Sequence, residues 1–183
     1  MDEVTFLVVI SFKFAIIKKD ILSIPTQAFE QYVIGFYNLE NLFDVGNDKF
    51  ILDDDFTPDG KKEWTQNRYQ KKLDKLSDAI SKIGFDYTGK MPSLLGVAEV
   101  ENKKVLNDLV SQPKLKAGNY NYVHYNSPDE RGIDVALLYD EKVFKVIHSQ
   151  PLHIEITNLD GEPDRTRDIL YVKGELSGMP LLY

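Results

Sequence analysis

Twice in this chain a run of β-forming residues breaks directly into amide and carboxyl side chains, and that boundary restricts the fold more than any other feature. Residues 31 to 44 read Gln-Tyr-Val-Ile-Gly-Phe-Tyr-Asn-Leu-Glu-Asn-Leu-Phe-Asp, a strand whose end carries Asn38, Glu40 and Asn41. Side chains two apart on a strand share a face, so Asn38 and Glu40 are expected to project together. Residues 91 to 102 repeat the form, with Leu94, Leu95, Val97 and Ala98 leading into Glu99, Glu101 and Asn102. Polar oxygens buried there cost free energy unless donors or a cation satisfy them. Two such ends side by side make an oxygen-lined site for a hard cation such as Mg²⁺. Taken singly, each is also what an ordinary strand end looks like.

From Trp64 the period changes. Tyr69, Leu73, Leu76, Ile80 and Ile83 recur at gaps of four and three, which predicts an amphipathic helix that Gly84 stops. Arg68, Lys71, Lys72 and Lys75 lie around its polar side. A solvated helix face is the plainer reading of these charges, and a substrate groove near Arg68 the functional one. Asn102 is placed to cap a second helix carrying Val105, Leu106, Leu109 and Val110. Strands are expected over 120–125, 135–139, 143–148, 152–157 and 169–176, with a turn at 126–129. Strands interleaved with helices make an α/β layout.

Other features point away from chemistry. The loop 47–63, with Asp53, Asp54 and Asp55, lacks the spacing of a calcium loop and reads as solvated. His124, His148 and His153 fall inside strand patterns without metal-ligand spacing, and read as half-buried or surface residues. The chain has no cysteine, which excludes disulfides and thiolate metal sites. Its net charge of −7 argues against a sequence-independent nucleic-acid binder. It does not exclude a metal-dependent phosphodiesterase, because a divalent ion supplies positive charge where the phosphate sits. The apolar stretch 5–17 is shorter than the roughly 20 residues that span a bilayer and is interrupted by Lys13. Asp2 and Glu3 stand where a secretory signal carries basic residues.

The order of three blocks carries more. Phe36-Tyr37-Asn38-Leu39-Glu40-Asn41, then Leu95-Gly96-Val97-Ala98-Glu99-Val100-Glu101-Asn102, then Arg131-Gly132-Ile133-Asp134-Val135-Ala136-Leu137-Leu138-Tyr139 resemble the first three blocks of the endonuclease/exonuclease/phosphatase superfamily. That superfamily includes deoxyribonuclease I, apurinic endonucleases, sphingomyelinases and inositol-polyphosphate phosphatases. The resemblance implies an α/β fold, the N-terminal half of a four-layer αββα sandwich (deoxyribonuclease I-like), with one mostly antiparallel or mixed sheet and flanking helices. It implies phosphodiester hydrolysis with Mg²⁺ or Mn²⁺. Glu99 would be a metal ligand, Asn38 a ligand or its neighbour, and Glu40 a further candidate. Asp134 would orient an active-site histidine, the other reading of its position being a local turn cap. Arg167 would hold phosphate, against a surface pair with Asp164 or Asp168.

Relatives continue into a histidine-bearing strand end, a Gly-Asp-Phe-Asn-like block and a Ser-Asp-His-like block, whereas here the sequence reads Met-Pro-Leu-Leu-Tyr over 179–183. Residues 31–183 are therefore expected to be a partial domain, from a natural truncation, a gene fragment or a deliberately shortened chain, and inactive alone. Such a half exposes the inner face of its sheet, giving weak stability or self-association through that face. No particular protein partner is implied. Residues 1–30 are either a degenerate export signal, as in secreted or periplasmic relatives, or an N-terminal extension. The substrate is expected to be a phosphoester, nucleic acid or a small phosphodiester, with the acidic balance leaning towards the small one. A non-catalytic binding module on the same scaffold is the other reading.

Overall fold

The computed structural model describes residues 31–176; the apolar stretch 5–17, the candidate leader 1–30 and residues 177–183 lie outside the described residues. The strand expected at the first polar boundary is β1 (Ile34–Leu42), and the next boundary lies on β2 (Leu94–Val100). Between them run α1 (Gln66–Lys82) and the short α2 (Phe85–Thr88). Thr65 caps α1, its hydroxyl accepting the Arg68 N–H, and Gly84 ends the run with φ at +71°. A side chain at Gly84 would also meet Val33 Cγ1 at 2.6 Å, so glycine is required there twice over.

After β2 come α3 (Lys103–Val110), capped by the Asn102 side chain, then β3 (Tyr120–His124) and β4 (Asp134–Asp140). The chain continues through β5 (Phe144–Leu152), β6 (Ile156–Thr157), β7 (Pro163–Asp164) and β8 (Ile169–Leu176). Where alternation suggested two strands over 143–157, β5 runs unbroken to Leu152, with an irregularity between Val146 and His148. An irregularity of this kind interrupts the strict period of two that sequence patterning reads.

The main sheet is mixed and four-stranded, in the order β1-β2-β4-β3, with β1 parallel to β2 and the other pairs antiparallel. One face packs on the helices. Leu39, Val97, Val100 and Leu138 meet Tyr69, Leu73 and Ile80 of α1 and Leu106 and Leu109 of α3 in one core. Each such side chain, fully buried, contributes roughly 1.5–3 kcal/mol. The other face is covered over β2 and β4, where Leu94, Ala98, Val135 and Leu137 pack with Phe144, Leu170 and Leu176 of the antiparallel β5–β8 pair. Among the described residues, the inner face expected to be exposed is thus covered over β2 and β4 and open at β1, where Ile34 and Phe36 stay 42% and 46% exposed. Strands β5 and β8 therefore build part of a second layer.

The acidic loop is largely solvated, as expected, with one exception. Asp53 is buried, not solvated: it accepts the Asp48 N–H at 2.9 Å and holds the turn before the 3-10 segment Asp54–Phe56. A carboxylate so placed replaces water for a backbone donor in a short-range turn.

Candidate metal centre

At the C-terminal end of β2 the sheet register breaks on both sides at once. Against β4, Ala98 pairs with Val135 and Val100 with Asp134, leaving Glu99 as an extra residue. Against β1, Asn38 pairs with Ala98 and Leu42 with Val100, so three residues of β1 oppose that one. The bulge needs left-handed backbone, and non-glycine residues supply it: φ is +54° at Glu40, +61° at Asn41 and +64° at Glu99. Each such residue stores of order 1 kcal/mol of backbone strain, and such strain gathers where a side chain must be aimed. The bulge also ends the simple alternation of β1, so the rule that would project Asn38 and Glu40 together stops applying at Asn38.

The aim is specific. Asn38 Oδ1 accepts the Glu40 N–H at 2.8 Å, which fixes the amide so that its Nδ2 donates to Glu99 Oε1 at 3.1 Å. The Asn41 N–H donates to Glu99 Oε2 at 2.9 Å. A carboxylate has about four acceptor positions, and these two donors leave the rest open. The Glu99 side chain is 19% exposed, so solvent reaches them. Asn38 and Glu99, sixty-one positions apart in sequence, are therefore in direct contact. Glu40 joins them through its backbone: its carbonyl accepts from Lys72 Nζ at 2.6 Å, and the residue lines an adjacent cleft.

Arg167 is buried, not part of a surface pair, with a relative exposure of 4%. Its guanidinium lies 3.9 Å from Glu99 Oε1 and 3.9 Å from Asp129 Oδ2. Burial pushes its pKa down and the neighbouring Arg131 adds to this, against the opposing pull of Asp129, Glu99 and Asp134. Asp129 is also clasped by Arg131, Nε to Oδ1 at 3.0 Å and Nη2 to Oδ2 at 2.7 Å. Sequence reading took Asp129 only as a turn residue. Nothing in its local pattern signals two arginines, one of them from thirty-eight residues downstream.

Asp134 makes the local turn contact weighed for it, and it also meets a histidine, though a buried one inside the sheet. Its Oδ1 accepts the Ser127 N–H at 2.9 Å, closing the turn, and its Oδ2 lies 3.0 Å from His124 Nε2. The histidine is not at a half-buried or surface position, as its strand pattern suggested. Its side chain has no exposed area, and Nδ1 is buried without a hydrogen-bond partner among the described residues. His148 is exposed, and His153, 71% exposed, meets Asp168 Oδ1 at 2.7 Å.

Next to the bulge, Glu101 accepts the Asp44 N–H at 2.6 Å. Burial pushes its pKa up to about 7, with Asp44 and Asp53 adding repulsion and the Asp44 N–H opposing it. On the other side of Asn38 opens a cleft between the end of β1 and α1, lined by Tyr37, Trp64, Arg68, Lys71, Lys72 and Lys75 among others. Burial pushes the Lys72 ammonium pKa down, while Glu40 and Glu99 pull it back.

Among the described residues no group of three or more His, Cys, Asp or Glu gathers as a metal cage. The donors present still fit one hard cation. Mg²⁺ takes one or two carboxylates and keeps much of its water; Glu99 would supply one carboxylate, while Asn38, its Nδ2 on Glu99 and its Oδ1 on the Glu40 N–H, orients that group. Comparison with known proteins agrees with the layout. A model described as Endonuclease/Exonuclease/phosphatase family matches residues 33–183. No curated protein matches the chain, and no solved structure does.

Proposed function

The chain belongs to the endonuclease/exonuclease/phosphatase family, and from that premise we propose that it acts in divalent-metal-dependent hydrolysis of a phosphodiester. The observation that carries this reading is Glu99, turned out of a bulged strand and held by the Asn38 side chain and the Asn41 N–H. Glu99 would hold Mg²⁺ or Mn²⁺, with Asn38 as its adjacent partner; Glu40, the weaker candidate, would reach the ion only by turning its side chain from the position the backbone contacts give it. A bound divalent ion supplies the positive charge that offsets charge developing on phosphate oxygens. Asn38 fixes the rotamer of Glu99, so the carboxylate does not reorganise when charge arrives. Arg167, buried beside Glu99, contributes a fixed guanidinium whose planar fork suits a phosphate. Asp134 holds His124 and, through Ser127, the turn that carries Asp129.

One observation favours a second reading, a non-catalytic binding module on the same scaffold. The histidine that Asp134 holds is closed to solvent, so as it stands it takes no proton from an attacking water. Titration of the protein with Mn²⁺, followed by the loss of free-ion paramagnetic signal, separates the readings when combined with turnover of bis-p-nitrophenyl phosphate. The expected result is saturable Mn²⁺ binding that Glu99→Gln weakens by about 100-fold or more, with Asn38→Ala costing roughly 10-fold. Turnover is read on a chain extended by the sequence its gene encodes downstream, and metal binding without turnover there selects the binding module. Undiminished Mn²⁺ affinity in Glu99→Gln removes the metal reading.

A further inference from the structure

The cleft beside the bulge is where this acidic protein turns basic. Arg68, Lys71, Lys72 and Lys75 follow one another at helical spacing along α1, and all four line it, against Glu40 as the one lining carboxylate. The chain has 29 acidic residues to 22 basic ones, so cations here have ample opportunity to pair. Elsewhere they do. Lys82 and Lys114 share Asp78, Lys104 reaches Asp44 and Asp108, and Arg131 clasps Asp129. The four cleft cations form no ion pair among the described residues. Arg68 donates instead to the carbonyls of Lys62 and Glu63, and Lys72 to that of Glu40. These bonds fix two heads at the cleft wall without neutralising them.

The cleft is continuous with the metal centre. Asn38 lines it and donates to Glu99, while Glu40 is tied by its N–H to Asn38 and by its carbonyl to Lys72. The rings of Tyr37 and Trp64 form part of the wall, and Lys72 Nζ lies 5.9 Å from the centre of the Trp64 ring. Unpaired cations beside a phosphoester site, in a chain that repels polyanions elsewhere, suit an anion held locally. The geometry points to a second phosphate-binding subsite, which takes a phosphate next to the scissile one and so selects substrates carrying at least two phosphate groups. This deepens the phosphodiesterase reading and rests on it for the word scissile; the anion site itself does not depend on the metal.

Trp64 is the chain's single tryptophan, so its fluorescence reports on the cleft alone. The test titrates the whole protein at low salt in EDTA with three probes: tetrathymidylate, inositol hexakisphosphate and p-nitrophenyl phosphate. The two multiply phosphorylated probes represent the two sources of neighbouring phosphates, a nucleotide chain and a polyol. At least one is expected to shift Trp64 emission saturably, at least about tenfold more tightly than the single-phosphate probe. For tetrathymidylate, log affinity should fall by roughly 0.7 per log unit of salt for each neutralised phosphate. Lys71→Gln with Lys75→Gln, both exposed, should weaken it about tenfold or more with an unchanged far-ultraviolet helix signal. Lys82→Gln, on the same helix but paired with Asp78, should not.

The stronger probe names the source of the phosphate. Glu99→Gln, which tests the metal reading, should not weaken binding in EDTA, so loss of metal binding alone leaves this inference standing. Equal affinity for all three probes, or tight binding untouched by the double lysine variant, overturns it. So does the absence of any emission change with the multiply phosphorylated probes.

Discussion

Two carboxylates lie almost side by side in the sheet and meet opposite fates. Glu99 is the bulged residue between Ala98 and Val100, and Asp134 is the strand partner of Val100. The first has a left-handed backbone and a side chain 19% exposed, with one donor on each oxygen and solvent at the rest. The second keeps regular register, is 5% exposed, and is engaged on both oxygens by Ser127 and His124. The bulge makes the difference. One extra residue turns a carboxylate out of the sheet towards solvent, whereas unbroken pleating turns its neighbour inward, where only a local partner makes it tolerable. Strain and exposure mark the carboxylate available to a ligand; burial marks the one that holds structure.

The sharpest way to break this contrast is to remove the inward carboxylate. Asp134→Ala leaves the His124 ring and the Ser127 N–H without their acceptor, and is expected to cost about 1–3 kcal/mol in urea unfolding. Mn²⁺ affinity should stay within about threefold of the wild type. A variant as stable as the wild type but deficient in metal binding would reverse the roles assigned to the two groups.

A smaller effect tests the strain at the bulge. Glycine adopts positive φ without the steric penalty that Glu40 bears at +54°. Glu40→Gly is expected to leave stability unchanged or raise it by up to about 1 kcal/mol, where the same change within a regular strand lowers it. Thermal unfolding of Glu40→Gly beside Lys145→Gly, on the exposed side of β5, gives the comparison directly.

The smallest effect lies outside both regions and calibrates them. Asp78 is held at a pKa of about 2 by hydrogen bonds from Lys114 and then Lys82, below its ordinary 3.8. A depressed carboxylate stabilises the fold above its unfolded pKa, and that contribution disappears as pH falls through the folded value. Because solvent reaches the group, whose side chain is 38% exposed, it screens most of this contribution. Asp78→Asn should shift the melting temperature by no more than about 1 °C at neutral pH and moderate salt, with the gap closing between pH 4 and pH 2.

Much of the architecture was legible from residue pattern. The period of Tyr69, Leu73, Leu76 and Ile80 is the buried stripe of α1, because a helix facing one core must repeat its apolar side every three to four residues. Asn102 caps α3 as its side-chain chemistry suggests. The contact between Asn38 and Glu99 was reachable from the resemblance, once both lay at the ends of strands that pair in parallel. The burial of Asp53 and His124 was not, because a polar residue in a loop or strand pattern carries no mark of a partner brought by another segment.

The sequence by itself determined which segments become strands and helices, since side-chain period and caps are local properties of the chain. It also supplied the amide and the carboxylate at the ends of β1 and β2. Only the tertiary structure decided that Glu99 bulges outward while Asp134 points inward, that Arg167 is drawn beneath Glu99 and Asp129, and that four α1 cations share a cleft with Asn38. Register, bulges and long-range partners depend on how strands meet, and the same residues in another register would face the other way.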